Sequence, residues 1–384
     1  MPEKLSDSSL HLQDLAVAGF RAIRELSIGR LGRVTLLAGK NGAGKTTVLE
    51  AVRVFAARGH YAILRDLLQE RDEFLGVDED DQRSPMPDFS ALFHGWNPRG
   101  GRIAVGPIAS DEQLLVEEVD LTEELGPLVE QKFPEATVNG SVLGLRTVFR
   151  GDHQFLPVIG VPQGRGGHTA FVKAPGVGRW TRRQSADVSS NPTRIRCHSL
   201  GPGLMSNHEI AGYWEEIVLT PHENTAVEAL RLVMGEQVQR VAVVGSDGQS
   251  RRQARAIVQL KGVADRVPLK SLGDGAVRLF GVALALANSQ NGFLLIDEVE
   301  NGIHHSLQKD FWRMVLRTAQ ANNVQVLATT HSFDCVQGFA EASSEVSHIG
   351  SALVRVARRD GKTWAVEYSE KDLRIAAEQT IEVR

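Results

Sequence analysis

The residues with the clearest capacity for chemistry form a glycine-rich loop, Gly39–Thr46 (GKNGAGKT), which fits the pattern G-x-x-x-x-G-K-[ST]. An aliphatic run at 34–38 precedes the loop, and residues 47–53 follow it with apolar side chains at helical spacing. Strand, loop and helix in this order surround a polyphosphate with backbone N–H groups and a positive helix end. The sequence therefore predicts a phosphate-binding site.

Two side chains of this loop have separate predicted roles. Lys45 would reach the β- and γ-phosphates of a nucleotide, and the Thr46 hydroxyl would be a ligand of Mg²⁺. We therefore expect ATP and Mg²⁺ as cofactors. The other predicted nucleotide contacts in and after the loop are Asn41, Gly42, Ala43, Gly44 and Thr47.

A second group of candidate residues follows a buried strand. Residues 293–296 are four consecutive apolar positions, and Asp297 and Glu298 come directly after them. Carboxylates at the C-terminal end of a strand lie where a doubly wound sheet binds its ligands. We assign Asp297 to the Mg²⁺ shell and Glu298 to the polarisation of the attacking water, a contribution of about 10²–10⁴-fold to the rate. The alternative for Glu298 is a carboxylate that only caps a helix.

A third strand is predicted at 324–330, and His331 follows it. A single histidine is usually structural. At the end of a strand beside the phosphate loop, however, we expect it to contact the γ-phosphate. We therefore count His331 with Lys45 and Glu298 as a catalytic candidate.

A second anion cradle is predicted at the start of a long apolar helix that runs to Ala287. Its candidate residues carry small or acidic side chains that leave backbone N–H groups free at a positive helix end. One ATP does not need two such cradles in one chain, whereas two chains placed head to tail do. The residues concerned are Ser271, Gly273, Asp274 and Gly275.

The order of these motifs is similar to that of ABC-type ATPases. The amino-acid sequence of the segments at 268–275, 294–302 and 328–332 resembles that of the OLD-like (overcoming lysogenization defect) AAA-type ATPases of bacteria. The resemblance covers residues 10–55 and 205–384, including the tail at 373–379. It implies an α/β P-loop NTPase of ABC-ATPase type, with a mixed core sheet, an N-terminal antiparallel β part and an inserted region.

The resemblance also implies partners. Such ATPases form dimers when they bind ATP, and many work with a nuclease of TOPRIM type in defence against phages and plasmids. No acidic cluster after His331 looks like a TOPRIM domain, so the nuclease would be a separate protein. We expect a homodimer or higher homo-oligomer, a separate effector and no membrane partner.

Three departures from the ABC pattern are visible. Leu272 and Asp274 interrupt the signature, so its register on Ser271 is open by one residue. A Q-loop glutamine is not evident, and His94 is a weak substitute. The pair at 304–305 stands where the resemblance places the D-loop at the dimer interface, and we favour that role over metal binding because no third ligand is evident.

Composition is that of a globular protein with 42% hydrophobic and 23% charged residues, and two cysteines are too few for a disulfide framework. A polar N-terminus and the lack of any apolar span predict a cytoplasmic protein. We divide the 384 residues into an N-terminal lobe with the phosphate loop (1–59), an inserted region with basic loops (60–205) and a C-terminal lobe (206–384).

Residues 141–200 carry eight arginines and one lysine against two acids, within a chain whose net charge is −4. This stretch is either a solvated basic region or a contact surface for nucleic acid or an acidic partner. Three function classes follow: an ATP-driven switch of a partner effector, which we favour, a DNA-repair or recombination ATPase that binds DNA through 141–200, and a transporter subunit. The inserted region does not look like a compact helical coupling domain, which disfavours the transporter.

Overall fold

The computed structural model describes the chain in segments, and every structural statement below refers to them. They are residues 10–74, 87–98, 100–121, 123, 143–156, 158–162, 169–173, 194–245, 254–369 and 372, with the backbone alone at 143, 158–162 and 169–173.

The chain forms a six-stranded sheet that we call the core sheet. Its strands in chain order are β3 (Val34–Ala38), β10 (Cys197–Leu200), β14 (Phe293–Ile296), β15 (Gln325–Thr330), β16 (Ser351–Arg359) and β17 (Lys362–Tyr368). Their spatial order is β10-β14-β15-β3-β16-β17. The first five strands are parallel, and β17 is antiparallel to β16.

The register of the parallel strands brings the predicted site residues to one edge. Thr330 of β15 pairs with Ala38 of β3, so His331 and the phosphate loop leave the sheet side by side. Ile296 of β14 pairs with Ala328 of β15, which places Asp297 beside Thr329. Because parallel strands end at a common edge, three segments distant in sequence meet there.

The three central strands are buried throughout, which requires cover on both sheet faces. One core cluster contains Leu36 and Ile296 and packs against the helices of the C-terminal half. The other contains Leu37 and Leu295 and packs against the helix after the phosphate loop and an antiparallel sheet. The helices are α1 (Lys45–Ala56), α2 (Tyr61–Gln69), α3 (Asn207–Ile217), α4 (Glu223–Met234), α5 (Asp274–Asn288), α6 (Gln308–Ala321) and α7 (Phe333–Glu345).

The antiparallel sheet also has six strands. They are β1 (Leu15–Phe20), β2 (Ile23–Ile28), β4 (Arg102–Gly106), β5 (Leu114–Asp120), β6 (Leu143–Phe149) and β7 (Asp152–Leu156), in the spatial order β2-β1-β4-β5-β6-β7. The predicted α/β class, with a mixed core sheet and an N-terminal antiparallel β part, is confirmed. Strand β3, the loop Gly39–Thr46 and helix α1 form the strand, loop and helix arrangement that the sequence predicts for phosphate binding.

The antiparallel sheet crosses the boundary that we placed at 59/60, and the core sheet crosses both that boundary and the one at 205/206. Strands β4 to β7 come from the predicted inserted region but extend the sheet that β1 and β2 begin, and β10 pairs with β14 in the core sheet. The division into 1–59, 60–205 and 206–384 stays a prediction about folding units.

Two smaller sheets complete the described strands. One contains β11 (Val238–Val244), β12 (Arg255–Leu260) and β13 (Val267–Pro268), and the other pairs β8 (Val158–Pro162) with β9 (Thr169–Lys173). Strands β11 and β12 pair antiparallel. Some residues that sequence analysis singled out lie outside the described residues. They are Arg165, Arg179, Arg182 and Arg183 of the basic stretch 141–200, and the tail at 373–379. Among the helices that are described, none is long and apolar enough to cross a membrane.

Candidate functional site

The phosphate loop is closed by its own lysine. Lys45 is buried, and its Nζ donates to the carbonyl oxygens of Gly39 at 2.7 Å and Lys40 at 3.1 Å. Burial lowers the pKa of Lys45, while the negative charges of Asp297, Glu300 and Glu298 act in the opposite direction. A buried ammonium that faces carbonyl groups and acids is ready to exchange these partners for phosphate oxygens.

The start of α1 provides the backbone donors. Gly44 precedes the helix with φ of 102°, and no side chain caps the first turn. The first N–H groups of the helix are therefore available to an anion. Gly39 has φ of 148°, and a Cβ there would lie 2.2 Å from the carbonyl oxygen of Val356, so only glycine fits. Asn41 and Gly42 are exposed, whereas Ala43 and the Thr47 side chain are buried. The Ala43 N–H donates to the Lys40 carbonyl oxygen at 3.3 Å.

Two side chains whose oxygen atoms could hold Mg²⁺ lie together at the end of β14. The Thr46 hydroxyl is 2.9 Å from Asp297 Oδ2 and 3.2 Å from Oδ1, although 251 positions separate the residues. The Thr329 hydroxyl donates to Asp297 Oδ1 and accepts from the Glu298 N–H at 2.8 Å. A hydroxyl and a carboxylate side by side are the hard donors that Mg²⁺ prefers, so the residues fit this cation.

Glu298 has an unusual backbone conformation. Its φ is +45°, a region that residues with a Cβ rarely adopt and that is enriched at active sites. The Asn301 side-chain amide donates to Glu298 Oε2 at 2.9 Å and to the Pro202 carbonyl oxygen at 3.3 Å. This carboxylate is thus oriented by a residue three positions further on, at the edge where a phosphate would lie.

His331 lies at the same edge, beside two acids. Its Nδ1 is 3.1 Å from Glu300 Oε1 and 4.0 Å from Glu298 Oε1. The first distance is that of a hydrogen bond, and the second is too long for one. The structure therefore pairs the imidazole with Glu300 and leaves Glu298 to Asn301.

The predicted second cradle lies at the start of α5. A short 3₁₀ helix at 269–272 leads to Gly273, which has φ of 93° and precedes Asp274, the first residue of α5. Ser271, Gly273 and Asp274 are exposed, and no side chain caps the helix. A Cβ on Gly275 would lie 2.7 Å from the carbonyl oxygen of Gly302, so the first turn of α5 packs closely on the segment after Glu300.

Arg278 is a site residue that sequence analysis missed. Its guanidinium is buried in α5 and donates to four carbonyl oxygens, those of Gly201, Gly203, Asp297 and Glu298, at 2.7 to 3.2 Å. Burial lowers the pKa of Arg278, and the charge of Glu300 opposes this most. An arginine inside a long apolar helix was the available signal, because such a charge needs buried partners.

Sequence analysis also missed a buried charge cluster that anchors α1. Glu50 accepts from Arg71 at 2.8 Å and lies 3.2 Å from Arg21, which also pairs with Glu73 at 2.6 Å. Burial raises the pKa of the Glu50 carboxyl, and the two arginines oppose that shift. The cluster joins the helix of the phosphate loop to the β1–β2 turn at Arg21, so it positions the loop.

Two further sequence-based candidates, His94 and the pair at 304–305, lie outside these contacts. His94 Nδ1 bonds with the Arg21 carbonyl oxygen at 2.9 Å. The rings of His304 and His305 lie 4.2 Å apart, and the residues that the structure describes contain no group of three potential metal ligands around them or elsewhere.

Comparison with known proteins places these elements in a family. Residues 231–334 match the family described as "AAA domain, putative AbiEii toxin, Type IV TA system", a range that includes the α5 cradle, Asp297 and His331. A protein of Methanocaldococcus jannaschii, "Uncharacterized protein MJECL11", is 33% identical over 91 residues, which are 24% of this chain and 78% of that protein. An "ATP/GTP phosphatase" of Helicobacter pylori is 19% identical over 346 residues, which are 85% of this chain and 86% of that protein.

Among solved structures, the chain is similar to an Smc head bound to the C-winged helix domain of ScpA, with a TM-score of 0.48 and 14% identity over 94% of this chain and 98% of that one. It is also similar to the SMC head domain from Thermotoga maritima, with a TM-score of 0.43 and 13% identity over 94% of this chain and all of that one. The sequence matches and the joined phosphate loop and carboxylates lead to one assignment: this chain belongs to the AAA-type P-loop ATPases.

Proposed function

We propose that this chain is an ATP-dependent molecular switch that hydrolyses ATP with Mg²⁺ in a head-to-tail dimer and thereby controls a separate effector protein. The effector would be a nuclease or toxin in defence against phages, and the protein would work in the cytoplasm. The single observation that supports this proposal most strongly is the position of the α5 cradle. Its residues Ser271, Gly273 and Asp274 are exposed at the start of a helix that no side chain caps.

Binding of ATP would rest on Lys45 and on the N–H groups at the start of α1. Lys45 would exchange the carbonyl oxygens of Gly39 and Lys40 for phosphate oxygens. Mg²⁺ would be held by the Thr46 hydroxyl and Asp297, which lie 2.9 Å apart. When bound, the cation neutralises charge on the phosphates during transfer.

Hydrolysis would use Glu298 as the group that orients and polarises the attacking water. A carboxylate is suited to accept a proton from water at a fixed position. The bond from Asn301 limits the orientations of Glu298, and the N–H of Glu298 is itself fixed by Thr329. His331 would contact the γ-phosphate on the same edge.

A second subunit is part of the proposal because the α5 cradle is not among the partners that the structure gives the phosphate-loop side chains Lys45 and Thr46 of the same chain. The partners that the structure gives Lys45 and Thr46 are Gly39, Lys40 and Asp297, all outside the α5 segment. The first turn of α5 instead packs on Gly302. In a head-to-tail pair, the exposed cradle of one copy would close over the nucleotide of the other, so ATP would be an assembly signal as well as a substrate.

The effector class rests on resemblance. The motif wording is similar to OLD-like ATPases, which are often paired with TOPRIM-type nucleases, and the matched family description includes a toxin of a type IV toxin–antitoxin system. The name of the Helicobacter pylori relative supports nucleotide hydrolysis. These similarities favour control of an effector over an isolated hydrolase.

Mixed subunits test the proposal. Lys45→Ala disables the phosphate loop, and Ser271→Asp places a negative charge at the exposed cradle without touching the core. Each variant alone should lack ATPase activity, and a mixture should regain it, because one composite site then has an intact loop and an intact cradle. Asn224→Asp, at an exposed position of α4, is the control and should hydrolyse ATP like the wild type. An active Ser271→Asp variant, or a mixture without activity, would contradict the composite site.

Direct binding of DNA through 141–200 is the weaker alternative. Among the described arginines of that stretch, Arg146 pairs with Glu117 and Arg150 pairs with Glu112, so these charges are already neutralised. Binding of a DNA duplex at low salt that weakens steeply as salt rises, and that Arg179→Ala, Arg182→Ala and Arg183→Ala abolish together, would favour the alternative.

A further inference from the structure

Glu300 makes contacts that no motif assigns to it. One carboxylate oxygen, Oε1, accepts from the His331 N–H at 2.8 Å and from the Ser332 N–H at 3.1 Å. The same oxygen lies 3.1 Å from Nδ1 of the His331 ring. Glu300 therefore binds both the backbone and the imidazole of the predicted γ-phosphate contact.

The environment of Glu300 makes this pairing strong. The Glu300 side chain is only 10% exposed, whereas the His331 side chain is 43% exposed. A buried carboxylate therefore holds a histidine that is in contact with solvent. The second oxygen, Oε2, is buried and has no hydrogen-bond partner. A buried carboxylate depends on the donors that the protein supplies, and charge-assisted hydrogen bonds in such a place are stronger than neutral ones.

We propose that Glu300 is a positioning residue that fixes the His331 ring with the Nδ1 hydrogen directed at Oε1. This inference rests on the proposed function for its role in catalysis, since it assigns His331 to the γ-phosphate. The geometric part concerns the ligand-free chain and stands by itself.

The chemistry follows from the two ring nitrogens. In a neutral imidazole one nitrogen donates and the other accepts, and the partner of one decides the state of the other. With the Nδ1 hydrogen directed at Glu300, this carboxylate sets the orientation of the His331 ring at the edge where the phosphate loop begins.

The contrast with Glu298 separates the roles of the two acids. Glu298 Oε1 is 4.0 Å from Nδ1, and Glu298 Oε2 accepts from Asn301. The histidine therefore makes no hydrogen bond through Nδ1 with Glu298, the carboxylate that we assign to the attacking water. Glu300 holds the histidine so that Glu298 stays available.

A purely structural role is the competing account. Glu300 also binds Ser332, which is the N-cap of α7, and a carboxylate near a helix N-terminus stabilises that helix. In that case loss of the charge would change stability but would not act through the histidine ring.

The first test reads the ring directly, without any activity. Nitrogen-15 NMR of the full chain with labelled histidines, with His331 assigned by its loss in His331→Ala, reports which ring nitrogen carries hydrogen. We expect hydrogen on Nδ1 at neutral pH. A ring with hydrogen on Nε2 alone would overturn the proposal, whether or not the chain hydrolyses ATP.

The second test is a double-mutant cycle on Mg²⁺-dependent ATP hydrolysis. Glu300→Gln keeps the shape and removes the charge, and we expect kcat to fall on the order of tenfold. In the His331→Ala background the same change should have no further effect on the residual kcat, because Glu300 acts through the ring. Equal losses in both backgrounds would overturn the proposal and support the structural account.

Controls keep the two claims apart. Glu236→Gln, at an exposed position in the turn after α4, should leave kcat and the melting temperature unchanged. If the wild type itself fails to hydrolyse ATP, the proposed function is wrong, while the NMR measurement still decides the role of Glu300. If Glu300→Gln fails to fold, the wild-type spectrum again decides it.

Discussion

The Asn301 side-chain amide lies 2.9 Å from Glu298 Oε2, so the predicted catalytic carboxylate is held by the segment that follows it in the same chain. Asn301 also reaches the carbonyl oxygen of Pro202, and Glu298 has a strained φ of +45°. The bond from Asn301 limits the side chain of Glu298, and the unusual φ limits its backbone. A carboxylate that is already held in this way loses little conformational freedom when it orients a water molecule.

Replacement of Asn301 tests this relationship. Asn301→Ala should lower kcat on the order of tenfold with little change in the affinity for ATP, because the carboxylate is no longer oriented. Asn301→Asp should lower kcat further, since two carboxylates would then face each other. Steady-state hydrolysis and nucleotide titration measure both quantities, and Asn224→Asp serves as the matched control. An Asn301→Asp variant with wild-type kcat would show that the contact has no role in the reaction.

Arg278 should contribute strongly to stability. Its guanidinium satisfies four carbonyl oxygens around the site, so Arg278→Met should lower the free energy of unfolding by about 2–3 kcal/mol. Arg278→Lys should restore only part of the loss, because an ammonium lacks the planar fork of donors. Urea denaturation measures the change. Arg317→Met, on the exposed face of α6, should be close to neutral, and an equally mild Arg278→Met would contradict the account.

His198 should make the chain sensitive to acid. Burial, helped by the charge of Arg196, lowers the pKa of His198 to about 4, from an ordinary value of 6.5. Between pH 6.5 and 4 the unfolded chain binds more protons at this ring than the folded chain does, so stability falls as pH falls. The slope from this one group is at most about 1.4 kcal/mol per pH unit.

His198→Asn removes that term while keeping a polar partner for Ser289, whose hydroxyl lies 3.1 Å from the ring. The difference in unfolding free energy between pH 7 and pH 5, measured by urea denaturation, should be smaller in the variant by about 1–2 kcal/mol. His208→Asn, at an exposed position of α3, should keep the wild-type difference. An unchanged pH dependence in His198→Asn would contradict this, because it would mean that the pKa of the ring is the same in the folded and the unfolded chain.

Sequence analysis located the parts of the site that local patterns encode. Gly39–Thr46, Asp297 and His331 each follow a short run of buried strand residues, and a parallel sheet brings such strand ends to one edge. Glycine spacing and strand ends are readable because they are contiguous in the chain. The central strands and the meeting of the residues that follow them at one edge of the sheet were therefore predictable.

Contacts between distant segments were not predictable in the same way. Thr46 and Asp297 are 251 positions apart, and Arg278 finds its partners 19 to 77 positions away. The pairing of β10 with β14 also escaped, because four residues after a basic stretch carry no signal of the sheet they join. The sequence shows Glu300 two positions after Glu298, but it does not show the contact with His331, which depends on how two loops fold against each other.

The central claim is that the nucleotide site is completed by a second copy of the chain, and the mass of Glu298→Gln with ATP and Mg²⁺ tests it most directly. This change removes the carboxylate that we assign to the attacking water and leaves the phosphate loop and the cradle intact. Light scattering after gel filtration should give a dimer with ATP and a monomer with ADP, and the added Ser271→Asp change should abolish the dimer. A Glu298→Gln chain that hydrolyses ATP normally, or that keeps one mass with ATP and with ADP, would contradict the account.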